Sequence, residues 1–475
     1  MPSAERRRGE PAAVGSVKCA SGVAECVTRR LRRASAFAAV AALAVLAPAL
    51  GDAALVPFLA VAGLAFFGVR DGEWFETLAL PGDRDEERLY GFVAFSLAAA
   101  GLALFASLPR APLPHSAFAA AALAVGGGRL GRELVGSRST DEFALVAGYV
   151  AGGTVGAVAG QVGVLVQTSG LDGFGAAVGG VTATLPGVVF LAAVAALSAA
   201  LVRSLVFARD AHITVILVAF AVWGFIALDP GVTVALVAFG LGVTVTLGYV
   251  SVALGTASVS GMLTGVLSAL LAVVLGGVGW FLTLMSFYAV GGLASKYRFD
   301  EKADRGVAQE NEGARGTGNV LANSAVALAA VVGYAATAHV AVPAAPFALA
   351  FAGATATAMA DTLSSEIGGL YDGPRLVTTL RRVEPGTDGA VTWQGEVAGG
   401  TGGLLVGGLA AAGMPLGDPV VGGAVVVCAG VVGMTVDSLL GALVEGEVVG
   451  NQAVNFLATL SGAAAAVTLW AVMPW

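Results

Sequence analysis

Ala360-Asp361-Thr362-Leu363-Ser364-Ser365-Glu366-Ile367-Gly368-Gly369 closes an apolar window at 343–362 with two carboxylates. An ionised carboxylate in hydrocarbon costs several kcal/mol, so such a residue faces a cavity, a metal or a partner. The surrounding chain decides that hydrocarbon is its solvent. Of 475 residues, 57% are hydrophobic and 12% charged, about half the charge of an ordinary soluble domain. Mean hydropathy is +0.85. Sixty-eight glycines suit close helix contact in a membrane. Long unbroken apolar runs, rather than short alternating ones, exclude a β-barrel. The chain reads as all-α, a polytopic integral membrane protein.

Apolar windows of single-span length lie near 34–50, 53–69, 91–107, 115–128, 143–166, 180–202, 211–228, 231–250, 258–277, 278–295, 318–338, 343–362, 396–413, 417–436 and 452–472. This gives about 15 (13–16) transmembrane helices. The basic N-terminus (Arg6, Arg7, Arg8, then Arg29, Arg30, Arg32, Arg33) reads as cytoplasmic, and the apolar run after it as a first membrane anchor. Counting from there, the loops that return to the cytoplasm carry Arg70, Arg84, Arg88, Arg129, Arg132, Arg138, Arg203, Arg209, Lys296, Arg298, Lys302, Arg305, Arg315, Arg375, Arg381 and Arg382, and the opposite loops carry almost none beyond Arg110. Three parts follow: a basic cytoplasmic segment at 1–33, a helical membrane region at 34–229, and a polar-rich membrane domain at 230–475. The chain is expected in the cell membrane. Its net charge of −7 and the lack of a basic domain exclude a nucleic-acid partner. Cys19, Cys26 and Cys428 lack a metal-type spacing and read as free thiols.

Four polar stripes are expected at the cytoplasmic side. Residues four apart share a helix face. Arg315, Asn319 and Asn323 form one stripe, and Asp361 with Ser365 the second. Gly433, Asp437 and Gly441 form the third; Asn451, Asn455 and Thr459 the fourth. Glu366 is five residues from Asp361, so on a straight helix the two acids diverge by about 140°. Asp361 with Asp437 is therefore the better metal pair. Between the second and third stripes, Pro385-Gly386-Thr387-Asp388-Gly389 offers a turn whose N–H groups can cradle an anion, and Gly399-Gly400-Thr401-Gly402-Gly403 follows at the opening of a helix. Arg375, Arg381 and Arg382 suit phosphate oxygens. Carboxylates for Mg²⁺, a glycine turn, a helix N-terminus and arginines are the parts of a phosphoryl-transfer site. Each part also has a bland reading. Asn319 and Asn323 serve equally as interhelical hydrogen-bond glue, Arg381 and Arg382 as topology signals, and Asp388 as a turn residue.

Ser295-Lys296-Tyr297-Arg298 with Lys302, Arg315 through Asn323, Asp361 through Gly368, Pro385 through Gly389 with Gly395, Asp437-Ser438-Leu439-Leu440-Gly441, and Asn451 with Asn455 occur in an order that resembles the domain of unknown function 92, or transmembrane protein 19, family. The resemblance covers about 230–470. That family includes the plant phytyl-phosphate kinase and is distantly similar to polyprenol kinases and phosphatidate cytidylyltransferases. The resemblance implies an isoprenoid (phytyl, geranylgeranyl or polyprenyl) monophosphate kinase using CTP or ATP with Mg²⁺. Asp361, Glu366 and Asp437 would hold metal, with Asp361, Asp437 and Arg315 at the chemistry. Lys296, Asn319, Asn323, Ser365, Arg382, Gly386, Thr387, Asp388, Gly389, Asn451 and Asn455 would line the substrate and nucleotide site. In the first half, Gly126 through Arg132 with Tyr149 through Gly156 faintly resembles the polyprenol kinase pattern, with glycine where the usual Asp should stand; that half is expected to be non-catalytic. Two other readings remain: an ion-coupled transporter, which would place acids at the bilayer midplane, and a structural membrane protein.

Overall fold

The computed structural model describes residues 23–110, 112–169, 174–207, 209–309, 311–446 and 448–473. The basic segment up to residue 22, with Cys19, lies outside them. The first half comprises α1 (Val23–Ala42), α2 (Ala47–Leu50), α3 (Val56–Gly63), α4 (Gly72–Leu78), α5 (Tyr90–Ala106), α6 (His115–Gly136), α7 (Glu142–Ser169), α8 (Phe174–Leu205) and α9 (Ala211–Leu228). The second comprises α10 (Val234–Ala253), α11 (Val259–Leu271), α12 (Val278–Lys296), α13 (Phe299–Asp304), α14 (Thr317–Ala336), α15 (Ala345–Gly368), α16 (Trp393–Gly413), α17 (Pro419–Val444) and α18 (Asn451–Val472). The only described strands, β1 (Arg375–Leu376) and β2 (Ala390–Val391), pair antiparallel between α15 and α16.

Ten helices among the described residues are long and apolar enough to cross a membrane. The apolar windows fall on helices, but the helices are longer at their polar ends: α6 continues to Gly136 and α17 to Val444. The 34–69 region is broken, with 3-10 turns at Leu43–Leu46 and Gly51–Leu55 and a positive φ of 52° at Gly51. Cys26 is disulfide-bonded, which corrects its reading as a free thiol; Cys428 is a free thiol.

Side-chain oxygens start the helices that matter. Ser258 accepts from Gly261 N at α11, Thr392 from Gly395 N at α16, and Asp418 from Val420 N and Val421 N at α17. Each satisfies donors that a helix N-terminus would leave open. Small residues then let the rods touch. Gly279 of α12 lies directly against the Gly413 backbone of α16. Thr357 of α15 is wedged between Gly433 of α17 and Gly462 of α18, with its hydroxyl donating to Gly353 O and Ala429 O. Helices α15, α17 and α18 thus form one tight bundle, and α14 packs against α15 and α18.

Candidate functional site

One end of that bundle collects the polar residues. Asp361 on α15 and Asp437 on α17 place their carboxyl groups within hydrogen-bonding reach of each other. Asp437 Oδ1 is buried without a donor. Two carboxylates are acceptors only, and like charges this close in a poor dielectric repel strongly. A cation between them relieves that repulsion. Their hard oxygens, one of them unpartnered, suit a small divalent ion, which takes one or two protein carboxylates and completes its shell with water and phosphate oxygens. Among the described residues no three Asp, Glu, His or Cys converge as a ready-made metal cage, so such an ion would need ligands from the substrate.

Glu366 faces away from this pair, as its five-residue spacing on an unbroken helix requires. It meets Lys302 of α13, Nζ to Oε2 2.5 Å, with both side chains buried (1% and 3% exposed). Lys302 also donates to Ala294 O at 3.0 Å and Ser295 O at 2.9 Å, so its three protons are all used. Glu366 Oε1 keeps no donor. The charge of Glu366 is therefore already balanced by a lysine, whereas the Asp361–Asp437 pair has no cation within ion-pair distance among the described residues.

Arg315 stands between the two groups. Its residue is 7% exposed, and its guanidinium lies over the Phe287 ring at 5.0 Å. NH2 donates to Thr362 Oγ1 at 3.3 Å, next in sequence to Asp361. Nε is buried without a partner, and no carboxylate among the described residues lies within 4.0 Å. The backbone is pinned to the α10–α11 turn: Arg315 N donates to Thr256 O at 3.0 Å and Ser258 N donates to Arg315 O at 3.1 Å. Burial disfavours the charged guanidinium and pulls its pKa down, against the attraction of Glu366 first and Asp361 last. Arginine nevertheless stays protonated in proteins, so this is a buried cation short of an anion.

One helical turn further, Asn323 Nδ2 donates to the Asn319 backbone, leaving Asn319 Oδ1 buried and unpartnered; Thr317 Oγ1 is in the same state. Asn455 Nδ2 donates to Asn451 Oδ1 at 3.1 Å. Gln452 of α18 packs on Gly318, which brings the first and fourth stripes together.

The glycine turn docks on the end of α17. Gly389 has φ 73°, and a Cβ there would stand 2.5 Å from Ala442 N and Ser438 O. Glycine alone fits such an approach with that backbone. Gly386 also has a positive φ of 84°, while Thr387 Oγ1 donates back to Glu384 O. Asp388 is thereby placed beside Glu445, whose carboxyl pKa is raised by burial and then by Asp388, against a lowering hydrogen bond from Asn451. Glu445 is the residue that the sequence reading missed. Its signal is the stripe itself, since Asp437, Gly441 and Glu445 are spaced i, i+4 and i+8, the last at the residue that ends α17. Other expected residues lie outside this constellation. Lys296 donates to Glu312 O and reaches over Gly255. Ser365 and Arg382 are exposed, Arg382 bridging by backbone to Arg375.

The fold and this polar end define a multi-pass helical membrane protein with a carboxylate pair and a buried arginine at one end of its second half. A family model, integral membrane protein DUF92, matches residues 242–463. The chain is 33% identical over 207 residues to an uncharacterised membrane protein of Methanocaldococcus jannaschii, covering 42% of this chain and 79% of that protein. It is 30% identical over 200 residues to one from Synechocystis (40% and 74%). It is also 33% identical over 130 residues to the chloroplastic protein VTE6 of Arabidopsis thaliana (26% and 37%). The chain belongs to the DUF92 family of integral membrane proteins. No solved structure matches it.

Proposed function

We propose that the protein is an isoprenoid monophosphate kinase of the cell membrane, working at the cytoplasmic face with CTP or ATP and Mg²⁺. The observation that carries this reading is the Asp361–Asp437 carboxylate pair beside the anion-deficient Arg315. Its resemblance to a family that includes the plant phytyl-phosphate kinase supports the choice of substrate. In the reaction, a phosphate oxygen of the prenyl monophosphate attacks the γ-phosphorus of the nucleotide. The bond to the β–γ bridging oxygen breaks, and the nucleoside diphosphate leaves. Little covalent work falls to the protein; positioning and charge stabilisation do most of it. Asp361 and Asp437 would hold the metal, which neutralises charge on the β- and γ-phosphates when bound. Arg315 orients the acceptor phosphate and offsets charge that develops on the transferred group. The turn Gly386-Thr387-Asp388-Gly389 offers N–H donors on the nucleotide side.

Purified protein in nanodiscs with Mg²⁺ should convert phytyl or geranylgeranyl monophosphate to the diphosphate, read by thin-layer chromatography of a labelled γ-phosphate. Asp361→Asn keeps the shape but loses a charged ligand, and turnover should fall by at least ~10²-fold, the scale on which removing one key electrostatic contact acts. Full turnover by Asp361→Asn sinks the mechanism, and no turnover by the wild type with either nucleotide sinks the reading.

A further inference from the structure

A cleft opens between α10, α11 and α12, with a cavity volume of ≈ 60 Å³. Leu247, Met262, Gly265, Val266, Ala269 and Met285 make its apolar wall, and Arg315 lines its polar end. From Gly261, against which the Arg315 carbonyl rests, to Ala269 is eight residues, about 12 Å of helix. That length is comparable to one leaflet, half of a ~30 Å hydrocarbon core. The cleft is narrow, and it has one cation at its head. That cation lacks an anion, with Nε buried and unpartnered. A ligand complementary to both ends has one slim apolar chain and one compact anionic head.

We propose that this cleft seats the first units of a single isoprenoid tail, with the tail's phosphate on Arg315, one residue's reach from Asp361 through Thr362. This rests on the kinase reading and extends it to the lipid. Gly265 sets the passage. A Cβ there would meet only the Tyr288 ring, at 3.9 Å, so α11 and α12 leave space at this level that a larger side chain would fill. Chain beyond the cleft's ~12 Å depth must leave sideways into the bilayer.

The test measures binding separately from turnover. Full-length protein in nanodiscs is titrated with geranylgeranyl monophosphate, isopentenyl monophosphate, phosphatidate and inorganic phosphate. Wild type should prefer geranylgeranyl monophosphate over the other three by at least ~10-fold, a readily resolved difference. Gly265→Leu should weaken geranylgeranyl monophosphate by at least ~10-fold and leave isopentenyl monophosphate unchanged. Arg315→Gln should weaken both. If Gly265→Leu does not purify, Leu247→Trp narrows the same cleft from its half-exposed wall and should act alike. Unchanged geranylgeranyl binding in the narrowed variants, or equal binding of phosphatidate, overturns the cleft assignment even if the kinase turns over. Binding that follows the variants without any phosphoryl transfer upholds the cleft and removes the kinase reading.

Discussion

Lys302 is one of three lysines in the chain, and it is nearly inaccessible. Its charge meets Glu366, and its remaining protons go to two backbone carbonyls at the end of α12. That pair ties α13 and α12 to α15 one turn beyond Asp361. Removing one partner leaves a buried charge uncompensated, which costs about 3–5 kcal/mol, whereas replacing both with apolar groups is often neutral. Lys302→Met should therefore lower the thermal midpoint in nanodiscs sharply, and Lys302→Met with Glu366→Leu should recover most of it. A single variant as stable as the wild type would mean that the ion pair does not anchor α13. Nothing in Asp300-Glu301-Lys302-Ala303-Asp304-Arg305 announces this role, because a run of charges reads as a solvated face. Only the partner 64 residues away, brought by the fold, distinguishes Lys302 from its neighbours. Asp361 and Asp437 were legible for the opposite reason. A carboxylate adjoining an apolar run has no cheap explanation.

At the scale of elements, Thr357 sets the register of the site. It precedes Asp361 by one turn on α15, as Gly433 precedes Asp437 on α17, and the two lie in contact. Both helices run towards the polar end, so this contact fixes how the two carboxylates meet. A methyl at Gly433 would collide with Thr357 and push α17 away. Overpacking of this kind costs about 1–3 kcal/mol. Gly433→Ala should lower both the thermal midpoint and turnover, and adding Thr357→Ala should restore part of each. Stability and turnover equal to wild type would show that the helix contact does not register the acids. The glycine at 433 was visible in the sequence as one turn from Asp437, but its partner was not, since spacing within a helix says nothing about which helix it meets. Helix positions themselves followed from apolar windows. Their ends did not, because a helix that continues past the hydrocarbon carries the same polar residues as a loop.

The whole molecule divides unequally. The carboxylate pair, Arg315, the cleft and the glycine turn all lie within 242–463, the stretch that the family model covers. The aligned 207 residues make up 79% of the Methanocaldococcus relative, so the remainder of that protein is too short to hold a counterpart of the whole 34–229 region. Helices α1–α9 meet the second half mainly where α8 touches α10 and α11, the far walls of the cleft. The physical expectation is that 230–475 holds its own core, since α14–α18 pack chiefly on one another and on α12. Expressed alone, 230–475 should insert, purify as a monodisperse species, and phosphorylate a short prenyl monophosphate within about tenfold of the full chain, a barrier difference of about 1.4 kcal/mol. Longer tails should suffer more, because without α8 the helices α10 and α11 that wall the cleft lose a packing neighbour. A half that is folded but inactive on every chain length, beside an active full chain, would place part of the site in the first nine helices.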